Sequence, residues 1–257
     1  MVIIGITGGI GHGKSTMAEA FGRVEPRSRH LESFTVIAEI VNAWHRQTRA
    51  VPNPHKLDQV NYWVQLLPNI LAQTVHEQVN PASLQFSLKD VAAQPEFYEK
   101  LFTHLQTLQK RPDLLTGQLS EINKAEYRPI LQWLGGYLVA RIDSGIWYKE
   151  VMRRAAQAAT EGVQLCTIGG LRYPSDAAIV RAGGGYILLI HRPLMNEQDL
   201  TDPTERDRYK IQPDITVVND AGIPELVTCA QSIYTDIKLG KLQVRYVTSD
   251  VELRRRA

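Results

Sequence analysis

The chain is short of several things, and each shortage removes a class of protein. It has two cysteines in 257 residues, Cys166 and Cys229. Two thiols cannot build a disulfide scaffold, and Cys166 lies in an apolar run and Cys229 in a helical one. The pair reads as two buried free thiols suited to a reducing compartment. Net charge is only +2, so no bulk electrostatic attraction favours nucleic acid. The basic end Arg254-Arg255-Arg256 reads as a solvated terminus. No apolar run reaches the length of a membrane span. The N-terminal apolar stretch is too short for a signal peptide, which makes the cytoplasm the expected compartment. Internal repeats and low-complexity segments are also lacking. Hydrophobic content of 44% and charged content of 22% match a globular protein of one large domain, or one domain with an insertion.

What the chain has is a complete phosphate-binding loop, Gly8-Gly9-Ile10-Gly11-His12-Gly13-Lys14-Ser15. The apolar run from Met1 to Thr7 reads as a buried strand before it, and a helix from about Lys14 to Arg23 follows. That strand–loop–helix context is what the motif requires. Gly9, Gly11 and Gly13 let the backbone curl so that its N–H groups face phosphate oxygens. The helix start adds partial positive charge, with Thr16 in the first turn. Lys14 reaches the β- and γ-phosphates, and the Ser15 hydroxyl suits magnesium. His12 reads as a tolerated exposed residue within the loop. ATP and Mg2+ are the expected cofactors. The loop alone does not choose among kinases, GTPases and motors.

Periodicity and punctuation organise the rest. A short second strand falls within Arg27–Phe34 and a helix within Thr35–Arg49, with Val36, Ile37, Ile40, Val41 and Trp44 on one side. Residues 50–125 carry helical patterns, Leu57–Val79 with Pro68 inside and Glu96–Gln109, and no parallel-strand run. They read as a helical substrate-binding insertion, leaving residues 1–49 and 126–257 as nucleotide-binding core and lid. Helices follow at Ile130–Arg141 and Ile146–Thr160, then a strand at Val163–Ile168, a helix at Pro174–Ala182 and a strand at Tyr186–Ile190. A strand at Ile215–Val218, a helix at Pro224–Leu239 and an edge strand within Gln243–Thr248 close the chain. Apolar strands alternating with helices predict an α/β fold, a three-layer sandwich around a parallel sheet.

Phosphoryl transfer spreads negative charge over the moving group, so cations are sought around it. In a parallel sheet, ligands bind beyond the carboxyl ends of the strands. Arg172 follows one strand and Arg192 another, which places both on the loop's edge. Arg128, Arg141, Arg206 and Arg208 are further candidates, the last two in a charged stretch that reads either as a lid or as a solvated face. An acidic group would orient the acceptor or hold magnesium through water, and Glu32 is the first candidate, ahead of Glu39. Trp133 and Trp147 lie on helices and read as core residues.

These residues also resemble known families. Gly5 to Thr16 is similar to the phosphate loop of dephospho-coenzyme A kinases. Tyr127 to Gly135 followed by Ile146-Trp147, Gly170 to Ala177, Gly183-Gly184-Gly185 and Ile190 to Pro193 resemble phage and bacterial deoxynucleoside monophosphate kinases. Asp214 to Gly222 with Leu226 is shared by both. This resemblance implies transfer of the ATP γ-phosphoryl group to a deoxynucleoside monophosphate, in the cytoplasm (the host's, for a phage protein). It implies that Arg128, Gln132 and Trp147 face the monophosphate, that Arg172 holds phosphate near the substrate, and that Arg192 and Arg206 act from the lid. It further implies that the turn from Asn219 to Gly222 lies against adenine. Lys14, Arg172 and Arg192 would be the catalytic group. Two departures stand out: Gly170 replaces the Asp usual in the deoxynucleotide kinases, and Leu31-Glu32-Ser33 replaces the Asp-x-Asp of the coenzyme A kinases. A dephospho-coenzyme A kinase-like enzyme and a non-catalytic ATP-binding sensor remain as alternatives. The expected partner is a nucleotide substrate, with no nucleic acid and no membrane. A homodimer is compatible with the chain, whose residues leave the oligomeric state open.

Overall fold

The computed structural model describes residues 1–53, 60–75, 95–120, 122–141, 143–193, 195 and 207–249. The chain divides into two compact units, residues 1–33 with 151–257, and residues 34–150.

The first unit is built on β1 (Val2–Thr7), β2 (Ser28–Glu32), β3 (Leu165–Gly169), β4 (Tyr186–His191), β5 (Ile215–Val218) and β6 (Arg245–Val247). They form one six-stranded sheet in the order β2-β3-β1-β4-β5-β6, parallel at every pairing. Its helices are α1 (Lys14–Val24), α8 (Pro174–Ala182) and α9 (Ile223–Leu239), together with the second part of α7 (Ile146–Thr160). Strand residues alternate between faces, and that alternation makes the layers. Ile4, Ile6, Leu188 and Ile190 pack with Met17 and Phe21 of α1 and Leu226, Cys229, Ala230 and Ile233 of α9. Gly5 and Gly185 face the other way: a methyl added to either would meet Val180 of α8 within 3.3 Å or less. The result is a three-layer α/β sandwich with a parallel core, as the alternating pattern predicts. Both cysteines are buried within it, and burial pushes each thiol up to about 12.

The second unit is helical: α2 (Ser33–Thr48), α3 (Val60–Thr74), α4 (Pro95–Lys110), the short α5 (Asp113–Thr116), α6 (Arg128–Arg141) and the start of α7. It is wider than residues 50–125. The reason is aromatic packing. Trp44 of α2, Trp63 of α3 and Trp133 of α6 are fully buried, and the Trp44 ring lies 5.0 Å from Trp63 and 5.5 Å from Trp133. Both helices flanking the expected insertion therefore share its core. Pro68 stays inside α3.

The same core holds two fully buried histidines. His45 Nδ1 donates to the Leu114 carbonyl at 3.2 Å, since a carbonyl only accepts. His45 Nε2 is then a lone pair, and His104 Nε2–H donates to it at 3.1 Å. His104 Nδ1 is left as a buried acceptor without a hydrogen bond. Burial pushes His45 down to about 4 and His104 well below its ordinary value. Unfolding restores ordinary proton affinity, so the unfolded chain binds more protons once pH falls below about 6.5. This unit's stability should be whole above that pH and decline towards pH 4, with His45 alone costing about 3 kcal/mol. Denaturant titrations at pH 7.5 and 4.5 measure the loss. A His45→Gln/His104→Leu variant with the same pH slope as wild type would contradict the assignment.

Candidate functional site

All six strands run the same way, so their carboxyl ends share one edge. From β1 springs Gly8, from β3 Gly170 and Arg172, from β4 Arg192, and from β5 Asn219. Arg172 and Arg192 are thus on the phosphate loop's edge, and both are exposed.

The loop's shape rests on glycine. Gly8, Gly11 and Gly13 have φ of 151°, 80° and 102°. Gly13 is also hemmed in, because a methyl there would lie 2.7 Å from Asn219 Nδ2. Lys14 opens α1 and its ammonium donates to the carbonyls of Gly8 and Gly9, both at 2.8 Å. The amine therefore stays inside the curl of the loop. Ser15 is exposed in the first helical turn, followed by half-buried Thr16. A hydroxyl oxygen there is a hard donor of the kind magnesium takes, so these residues fit a magnesium nucleotide.

His12 is not exposed as the sequence suggests; it is 6% accessible. Its ring lies against Gly9, where a methyl would meet Nε2 at 2.7 Å, and its Nδ1 accepts the Arg192 N–H at 3.3 Å. Burial first, then the charges of His191, Arg208 and Lys14, hold His12 below its ordinary value. The physical cause of its burial is β4, whose end runs alongside the loop and brings His191 to 5.3 Å between ring centroids. Asn219 is likewise buried, and its Nδ2 donates to the His12 carbonyl at 3.1 Å. Asn219 thus braces the phosphate loop from β5. The turn after it is closed by Thr248, whose Oγ1 accepts from the N–H groups of Asp220 and Ala221 at 3.0 and 3.1 Å. Gly222 at its far end is exposed.

Beyond β3, Gly170 has φ of 74°, which an Asp would adopt only with strain. Thr7 Oγ1 donates to the Leu171 carbonyl at 3.1 Å, tying this segment to the end of β1. Asp176, in the first turn of α8, accepts the N–H groups of Arg172 and Tyr173 at 3.0 and 2.9 Å. Burial raises it to about 6 against the pull of those bonds and of Arg172. Asp176→Asn keeps an acceptor and removes the buried charge, so stability at pH 8 should equal or exceed wild type. Asp176→Ala strands two donors and should cost about 1–3 kcal/mol. Equal losses in both, by thermal unfolding, would contradict this role.

In the helical unit, Arg128 and Gln132 sit one turn apart on α6, both exposed, and Lys100 donates to Gln132 Oε1 at 3.1 Å. Trp147 is buried, 5% accessible, and its indole Nε1 makes no hydrogen bond. Trp133 is core as expected. Arg206 and the side chain of Arg141 lie outside the described residues. Arg208 is buried and stacks on Tyr209 at 4.4 Å.

Sequence reasoning misses Asp176 and Thr248, whose partners lie across turns. Only the Pro174 helix start, with an acid two residues on, signals Asp176. Among the described residues, no helix is long and apolar enough to cross a membrane. No family model matches the chain, and no curated protein matches it either.

Proposed function

We propose that the chain is a cytoplasmic, ATP- and magnesium-dependent kinase that transfers the γ-phosphoryl group to a nucleoside monophosphate, with deoxynucleotides the favoured class. The observation that carries this reading is the Lys14 ammonium, held between the Gly8 and Gly9 carbonyls in a loop bent by left-handed glycines. Bound ATP·Mg2+ supplies the phosphoryl group and part of the charge neutralisation. Gly9 to Thr16 surround the phosphates with N–H donors, Ser15 offers a hydroxyl to the metal, and Lys14 stabilises charge on the transferring oxygens. Arg172 and Arg192 add positive charge from the neighbouring strand ends, and Arg206 is assigned to the same task from the lid. Glu32, at the carboxyl end of β2, is assigned as the acidic group. The Asn219–Gly222 turn is assigned to the adenine side, with Asn219 acting through the loop it braces.

Arg128 and Gln132 are assigned to the acceptor's phosphate. An exposed guanidinium at the start of α6 suits bidentate phosphate binding, and the resemblance of Tyr127 to Gly135 to the deoxynucleoside monophosphate kinases supports that choice. Arg128→Ala should raise the acceptor KM about tenfold or more with little change in the ATP KM. Steady-state kinetics with each substrate varied in turn decide the point. Phosphorus NMR of the reaction should show a nucleoside diphosphate forming beside ADP. An unchanged acceptor KM would remove Arg128 from the site, and inorganic phosphate as the sole product would remove the kinase reading.

A further inference from the structure

In nucleotide-binding proteins with this loop, magnesium is shared between the loop's hydroxyl and an Asp on a nearby strand. Strand β3, next to β1, ends at Ile168-Gly169, and neither these residues nor the following Gly170 offers a carboxylate. The next strand outward does. Glu32 closes β2 directly opposite Gly169 in the parallel register. Its side chain leans across β3 into the space a Gly169 side chain would fill: a methyl there would meet Glu32 Cγ at 2.9 Å and Cδ at 3.0 Å. Strands are spaced by about 4.8 Å, so the carboxylate over Gly169 stands one strand away from β1, whose end becomes the phosphate loop.

The carboxylate is also aimed. His30 lies two residues back on the same face of β2, opposite Thr167. Its Nε2 donates to Glu32 Oε1 at 3.0 Å, because an ionised carboxylate only accepts. Its Nδ1 is 2.9 Å from the Thr167 hydroxyl, which donates to it in the neutral ring. Thr167 is buried at 2%, so the chain hydroxyl–imidazole–carboxylate is anchored in the sheet.

We infer that Glu32, reaching across Gly169 and positioned by His30, is the carboxylate that accepts hydrogen bonds from the water shell of nucleotide-bound magnesium. The inference rests on the nucleotide-kinase reading, and it removes the difficulty posed by Gly170: the acid absent from β3 comes from β2. Magnesium keeps several waters and needs few protein ligands, so a carboxylate acting through water suffices. His30 is a positioning residue.

The test is calorimetric titration with a non-hydrolysable ATP analogue, with and without Mg2+. Wild type should bind more tightly with the metal. Glu32→Gln should lose about tenfold or more of that gain, while metal-free binding stays equal or strengthens as a negative charge is removed. Gly169→Ala should mimic it by displacing the carboxylate. His30→Phe should lose part of the gain, and His30→Gln, which keeps a donor, should retain it. Gly169→Asp added to Glu32→Gln should restore the gain by returning an acid to β3. An undiminished magnesium gain in Glu32→Gln would overturn the inference and leave the kinase reading standing. A wild type that binds no analogue under either condition would overturn the reading and the inference with it.

Discussion

Lys14→Ala should fold normally and turn over at least about a hundredfold more slowly than wild type, the scale on which a single preorganised donor acts on developing negative charge. The structure gives the reason for both halves of that expectation. Lys14 is the first residue of α1, half-buried, and alanine is a better helix former than lysine. Its ammonium donates to the carbonyls of Gly8 and Gly9, within the loop itself and not in the sandwich core. On the proposed mechanism the transferring phosphoryl group depends on it heavily, because negative charge spreads over its oxygens in the transition state. The ADP-release rate of a variant with unchanged far-ultraviolet circular dichroism measures this. Normal turnover in that variant would exclude phosphoryl transfer at this loop.

Gly13→Ala should be the most damaging change to nucleotide affinity. Gly13 has φ of 102°, a conformation that costs an L-residue about 1–2 kcal/mol. Its methyl would also lie 2.7 Å from Asn219 Nδ2, the group that braces the loop through the His12 carbonyl. The residue and the brace cannot both keep their places. Since each 1.4 kcal/mol is tenfold in affinity, ATP binding should weaken by one to two orders of magnitude, roughly. Asn219→Ala should weaken binding by less, because it removes the brace and leaves the loop's dihedral angles intact. Calorimetry on the three proteins checks the order. Gly13→Ala binding as tightly as wild type would mean that the loop bent by these glycines is not where the phosphates go.

Much of the architecture is legible in the sequence where punctuation is strong. Pro174 and the Gly183-Gly184-Gly185 run bound α8, and Ile215–Val218 stands out as an apolar run before a turn. The strand edge that gathers Arg172 and Arg192 follows from parallel topology alone. What is not legible depends on partners far along the chain. His12 reads as exposed because nothing local reveals that β4, some 180 residues later, runs beside it. The reach of Glu32 over Gly169 depends on β3 inserting between β2 and β1, a choice no local pattern encodes. His45 and His104 each look like an ordinary amphipathic-helix histidine until α2 and α4 are brought together. The helical unit is wider than expected because three tryptophans from three helices form one cluster, and a window scan for strands does not see shared aromatic cores. Trp147 is the opposite case: its place on a helix marks it as core from local pattern, and it is 5% exposed.

The measurement that bears most directly on the central claim is a coupled ADP-release assay with ATP and magnesium. It would be run against each deoxynucleoside and ribonucleoside monophosphate and against dephospho-coenzyme A. The account predicts acceptor-dependent release with one or more deoxynucleoside monophosphates, slowed at least about a hundredfold in Lys14→Ala. Release with dephospho-coenzyme A alone, or silence across the panel from a protein that binds ATP, would contradict it.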